Sequence, residues 1–126
     1  MAQWVWIGIA GAFGALARYG LTRLVQHLLG NTFPWGTFTV NILGSFLFGM
    51  VWMMIENHAS ASLSPQLRLI FLTGFMGGFT TFSSFMFETS TLIGQNQWGL
   101  VFVNLLLQTA LGLLALFVGF AVGRWF

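Results

Sequence analysis

The residues able to do chemistry in this sequence concentrate between positions 74 and 85: Gly74-Phe75-Met76-Gly77-Gly78-Phe79-Thr80-Thr81-Phe82-Ser83-Ser84-Phe85. They stand in the middle of an apolar segment, where a membrane helix ordinarily carries leucine and valine. Glycine costs about 1 kcal/mol relative to alanine in a helix interior. A break also frees backbone groups that lipid does not satisfy, so it is tolerated only where protein buries it or where it lines a polar cavity. The stretch therefore reads as an ion or solute site, with the helix broken at Gly77-Gly78. Its hydroxyls are neutral donors, and the rings of Phe79, Phe82 and Phe85 have positive edges that suit an anion. By spacing alone, phenylalanines at every third position more often pack against core or lipid.

Other polar residues lie in line with it. Thr37, Asn41 and Ser45 recur at i, i+4 and i+8, one slowly drifting face of a helix. Asn104 and Gln108 do the same further on. An amide inside a bilayer must find a partner or face water. A single interhelical hydrogen bond, worth about 0.6–2 kcal/mol, accounts for one such amide. Two stripes plus the Thr80-Thr81 and Ser83-Ser84 pairs point instead to a polar path. The chain has no lysine, so that path offers neutral donors, which hold an ion weakly enough to release it.

Charged residues are few. Arg18 lies past the middle of the first apolar run and reads as snorkelling to the interface or anchoring a loop, with direct anion contact the lesser reading. Glu88, three residues after Phe85, either bonds to a neighbouring helix or marks a pore vestibule. Glu56, His27 and His58 sit at loop edges and read as solvated. Two isolated histidines do not make a metal site. No set of nucleophile, base and orienting group is present, and no phosphate-binding loop, so catalysis is not expected.

The elements that must position these residues follow from composition. Of 126 residues, 57% are hydrophobic and 5% charged, against about 25% charged in soluble domains. This is an integral membrane protein. The net charge of +2 rests on six charged side chains and forms no basic patch, which excludes nucleic acid as a partner. With no cysteine, disulfides and thiolate metal sites are excluded. Met1-Ala2-Gln3 lacks a charged leader, so no cleaved signal peptide is expected.

A spanning helix needs about 20 apolar residues. Four runs qualify, at 4–28, 37–55, 66–93 and 98–124, in one domain over residues 1–126. Residues 30–36 form a turn with Trp35 at interface depth, 56–65 a polar loop, and 94–97 a tight turn. Ser64 is placed to cap the third helix, with Pro65 in its first turn. Small residues four apart allow close backbone approach: Ala10 and Gly14, Gly11 and Ala15, Ser45 and Gly49, and Ala115 with Gly119 and Gly123. They serve either bundle packing or a dimer interface. Trp35-Gly36 and Val40-Asn41 recur as Trp98-Gly99 and Val103-Asn104 half a chain later, a faint repeat that Gly11 and Gly14 share with Gly74 and Gly77. Arg18 and Arg23 lie toward one side of the membrane, Arg68 and Arg124 toward the other. That balance gives the positive-inside rule no bias and allows insertion in both orientations, hence antiparallel pairing.

The chain resembles, over essentially its whole length, the bacterial fluoride channels of the Fluc (CrcB) family. The resemblance is most specific in residues 74–85, which match the family's third-helix signature. Gly36-Thr37-Phe38-Thr39-Val40-Asn41-Ile42-Leu43-Gly44-Ser45-Phe46 is similar to its second-helix signature, and Gly14 through Arg18-Tyr19 to its first-helix pattern.

The resemblance implies a dual-topology antiparallel homodimer with two pores in the bacterial inner membrane, exporting fluoride passively. Phe82 and Phe85 would turn ring edges to fluoride and Asn41 would donate to it. Thr37, Ser83 and Ser84 would lie along the path. Arg18, Thr81, Glu88, Asn104 and Gln108 are secondary candidates for path or vestibule. A structural sodium ion would be held by the backbone carbonyls of Gly77 and Thr80. The chain departs from the family at Gln108, where a small hydroxyl residue is usual. The alternatives are a small proton-coupled multidrug exporter, which needs a carboxylate that the first helix lacks, and a membrane subunit without transport.

Overall fold

A computed structural model describes residues 2–57 and 64–126. The chain is all helical there. Helix α1 (Ala2–Leu29) and α2 (Trp35–Asn57) are followed by a short α3 (Ser64–Leu67), a nine-residue π-helix (Arg68–Met76), one turn of α4 (Gly77–Phe79), α5 (Phe82–Gly94) and α6 (Trp98–Gly123). Among the described residues four stretches are long and apolar enough to cross a membrane: Ala2–Leu29, Trp35–Asn57, Pro65–Gly94 and Trp98–Gly123. The third of these contains α4 and α5, with most of α3 and the whole π-helix. The expected loop around His58 and the capping role of the Ser64 side chain lie outside the described residues.

Local chemistry explains where helices stop. Gly30 takes φ 88° and donates to the Gln26 carbonyl at 2.9 Å, a glycine stop for α1. The Gln26 side chain then accepts from the Gly36 N–H at 3.0 Å and donates to the Phe33 carbonyl, which ties down the first loop. Phe33, Trp35 and Phe38 cluster beside it, with centroids 4.7 Å apart for Phe33 and Trp35. Helix α2 starts at Trp35, two residues earlier than hydropathy predicts, because Pro34 leads directly into it. The turn between α5 and α6 lies where residues 94–97 place it, with Asn96 at φ 57°.

Two helix pairs carry the packing: α1 against the π-helix and α4, and α2 against α6. Glycine makes both possible. A Cβ on Gly14 would sit 2.1 Å from the Phe75 carbonyl oxygen, and one on Gly119 would sit 2.1 Å from that of Phe46. The small-residue stripes at Gly11, Gly14, Gly49, Gly119 and Gly123 thus serve packing within the bundle. Of the glycines in the faint repeat, Gly11 lies against Gly74, while Gly14 lies against the Phe75 main chain. Val40, Leu72, Met76 and Phe79 form the buried core between the pairs.

The break is not at Gly77-Gly78. Gly77 is helical, at φ −61° and ψ −35°, and the α4 turn runs through Gly78 to Phe79. The backbone leaves the helix at Thr80 (φ −86°, ψ 157°) and Thr81 (φ −148°, ψ 115°). Both threonines are β-branched, which suits extended backbone better than helix. Gly78 is needed for closeness instead. A Cβ there would lie 2.4 Å from the Gly11 carbonyl oxygen, so glycine lets α1 approach. The π-helix before the break was not legible in the sequence; π geometry is rare and often accompanies functional sites.

Candidate functional site

The site grows from the break at Thr80-Thr81. Thr81 starts α5 as its N-cap, its hydroxyl oxygen accepting from the Ser84 N–H at 3.2 Å. The same hydroxyl lies 3.1 Å from Ser84 Oγ and 3.4 Å from Ser83 Oγ. Thr80 closes α4 by donating its N–H and its hydroxyl to the Met76 carbonyl, each at 3.0 Å. The Thr81 N–H leaves the helix ladder and donates to Asn41 Oδ1 at 2.8 Å, while Asn41 Nδ2 donates to the Thr81 carbonyl at 3.0 Å. The carboxamide thus satisfies main-chain groups that a break at bilayer depth would otherwise strand.

From Asn41 a chain of side chains crosses to the last helix. Asn41 Nδ2 also donates to Gln108 Oε1 at 2.8 Å, Gln108 Nε2 donates to Asn104 Oδ1 at 2.9 Å, and Asn104 Nδ2 donates to Thr89 Oγ1 at 3.0 Å. Thr89 in turn donates to the Phe85 carbonyl at 2.7 Å. Asn104, Gln108 and Thr89 are all buried, Asn104 completely.

In front of the break lies a cleft of about 290 Å³, lined by Asn41, Gly44, Ser45, Phe48, Thr80, Thr81, Phe82, Phe85 and Leu116. Gly44 leaves room for Thr80, whose Cγ2 would be 2.2 Å from a Cβ at position 44. Phe82 and Phe85 meet edge to face with centroids 6.0 Å apart. Phe85 is 8% exposed and Phe82 73%, so one ring is fixed in the bundle and the other projects from it. Hydroxyls, an amide and aromatic edges converge here without a charged group, which suits a small ion in transit more than a tightly held ligand.

Two charged residues flank the break. Arg18 Nε donates to the Gly78 carbonyl at 3.0 Å, so Arg18 turns inward to anchor α4 rather than snorkelling. Glu88 Oε1 accepts from the Thr37 hydroxyl at 2.8 Å, while its Oε2 is buried with no hydrogen-bond partner among the described residues. Glu88 also lines a second cleft of about 290 Å³ with Gln26, Asn31, Thr32, Thr91 and Gln95. It both bonds to a neighbouring helix and borders this cleft.

The structure gathers Asn41, Thr80, Thr81, Phe82 and Phe85 around one cleft, with Ser83 and Ser84 beside Thr81. It places Thr37 with Glu88 instead, and sets Asn104 and Gln108 behind Asn41 rather than on the cleft wall. Thr89 was missed. Thr89 is four residues after Phe85 on the same helix, the spacing at which a hydroxyl reaches back to a carbonyl, and that was the available signal.

Known proteins resemble this chain along most of its length. A protein from Nitrosococcus oceani named "Fluoride-specific ion channel FluC" is 49% identical over 119 residues, 94% of each chain. Relatives of the same name from Solidesulfovibrio magneticus and Nitratidesulfovibrio vulgaris (strain Miyazaki F) are 52% and 49% identical. The first covers 94% of this chain and 93% of its own, the second 98% of both. The model of the family described as "CrcB-like protein, Camphor Resistance (CrcB)" matches residues 5–120 and so takes in the break, the Asn41–Thr81 clamp and the whole amide chain; this membrane protein belongs to the CrcB family.

Proposed function

We propose that this chain is a fluoride channel, a passive pore rather than an enzyme, that lets fluoride leave a bacterial cytoplasm across the inner membrane. Similarity along the whole chain to relatives named for fluoride-specific conduction carries this reading. The cleft at the break supports it. Fluoride is small and strongly hydrated, so a pore must replace its water with donors. Asn41, Ser83, Ser84 and Thr81 offer N–H and O–H groups, Phe82 and Phe85 offer ring edges, and Thr37 lies further along with Glu88. Hydrogen fluoride that enters from acidic surroundings ionises inside, and the pore returns the anion.

The working unit would be an antiparallel homodimer of dual topology with two pores. The even split of Arg18 and Arg23 against Arg68 and Arg124 supports it, as does the exposure of Phe82, a ring that a second copy would cover. A structural sodium would sit where the two copies meet. Because the Thr81 N–H goes to Asn41, the Gly77 carbonyl loses the partner a continuing helix would supply. Thr80 is extended, so its carbonyl also leaves the helix direction. Such carbonyls suit a hard cation, and two copies would provide four.

The test is efflux from proteoliposomes loaded with fluoride or chloride, read with ion-selective electrodes. Fluoride should leave and chloride should stay. Fluoride efflux no faster than from empty liposomes would refute the proposal.

A further inference from the structure

Both N–H bonds of the Asn41 carboxamide are in use, one to the Thr81 carbonyl and one to Gln108 Oε1. The bonds differ in what holds them. Two of the three hydrogen bonds of this carboxamide join it to the main chain of Thr81, and breaking them would strand backbone groups. The Gln108 bond joins one side chain to another. The direction of the amide chain is set at both ends. Thr81 presents one main-chain N–H and one C=O, and the Phe85 carbonyl only accepts. Gln108 Nε2 is therefore spent on Asn104, and its oxygen, not its nitrogen, faces Asn41. Asn41 meets a neutral acceptor at the one N–H it is able to release, and it also lines the cleft.

We propose that Gln108 sets the anion affinity of this chain: its amide oxygen occupies the place on Asn41 that a permeating anion takes, and the anion binds there by displacing it. This rests on reading the chain as a fluoride channel. A charged acceptor makes a stronger hydrogen bond than an amide oxygen, so the anion wins the exchange. Its net gain is reduced by the bond that Gln108 gives up. Gln108 thus tunes affinity downward without touching the main-chain clamp, and Asn104 and Thr89 act by holding Gln108 in that orientation.

Three substitutions in the full chain separate the effects. Gln108→Met keeps the volume and removes the acceptor. Gln108→Ser removes the amide oxygen and opens space. Gln108→Glu keeps an acceptor, adds negative charge and has no N–H for Asn104. Each is reconstituted after its assembly is checked by size exclusion, and initial fluoride efflux is measured against fluoride concentration. The half-saturating concentration should fall about twofold to tenfold in the Met and Ser variants, the range set by one net hydrogen bond. It should rise in the Glu variant. A role in packing alone would leave the Met variant unchanged and impair the Ser variant. If the wild type conducts and the half-saturating concentration is unchanged or higher with Met, the inference fails while the channel reading stands. A wild type that passes no fluoride removes both. The Met variant decides the matter if the Ser variant does not assemble.

Discussion

Asn41 and Thr81, 40 residues apart in sequence, face each other as two strands do: the carboxamide of one exchanges two hydrogen bonds, 3.0 and 2.8 Å, with the main chain of the other. A side chain on α2 thereby replaces the helix ladder at the point where α4 ends. The break and its cleft depend on that exchange.

Replacing Asn41 with leucine keeps the volume and removes the exchange. The N–H and C=O of Thr81 would then lack partners, at a cost of about 1–3 kcal/mol for each stranded group. We expect a lower thermal midpoint in detergent and at least a tenfold loss of fluoride flux, the factor that corresponds to about 1.4 kcal/mol. Wild-type melting and flux in Asn41→Leu would show that the clamp has no weight.

Neighbouring glycines should behave oppositely. Alanine at position 78 places a Cβ 2.4 Å from the Gly11 carbonyl, and backbone does not yield easily. Overpacking of this kind costs about 1–3 kcal/mol, and α1 must shift. A Cβ at Gly77 meets nothing within 4 Å among the described residues, so Gly77→Ala should fold normally. Comparing yield of monodisperse protein and thermal midpoint for the two variants checks this. Equal behaviour would contradict the assigned role of Gly78.

Phe82→Ile and Phe85→Ile should both suppress fluoride flux while the protein still assembles as the wild type does. Their stabilities should differ, because Phe85 is 8% exposed and Phe82 73%. Loss of the buried ring leaves a gap worth about 1 kcal/mol or more, whereas the exposed ring costs little within one protomer. Unchanged flux in both variants would remove the ring-edge contact from the mechanism.

Arg18→Met should weaken the anchoring of α4. It deletes a charged donor from the Gly78 carbonyl, a bond in the class worth about 1.5–3 kcal/mol. Hydrogen exchange should then quicken in residues 77–81 more than in α6. An unchanged exchange pattern would return Arg18 to a surface role.

Much was legible before any tertiary information. Hydropathy is a local property, so the spans could be read directly, and turn chemistry placed the α5–α6 connection at residues 94–97. The polar residues of the site stood out because an apolar segment makes each of them costly. The break was misplaced because Gly77-Gly78 was taken as flexible backbone. Glycine there is used for closeness to α1, a demand that no local window contains. The extended pair was signalled nearby by two β-branched residues and by Thr81, a residue type that caps helices, which the glycines overshadowed.

The sequence by itself determined that this chain spans a membrane four times, places hydroxyls, amides and phenylalanines at depth, and carries too few charges to hold an ion tightly. Those properties follow from residue type and spacing along the chain. Only the tertiary structure decided which partner each polar group takes. Asn41, expected to donate to an ion, bonds Thr81 and Gln108, Arg18, expected to snorkel or to anchor a loop, holds α4, and Gln108 supplies an acceptor. Hydrogen bonds between residues 40 to 67 positions apart depend on how α1, α2 and α6 pack around the break, and packing brings together groups that no periodicity relates.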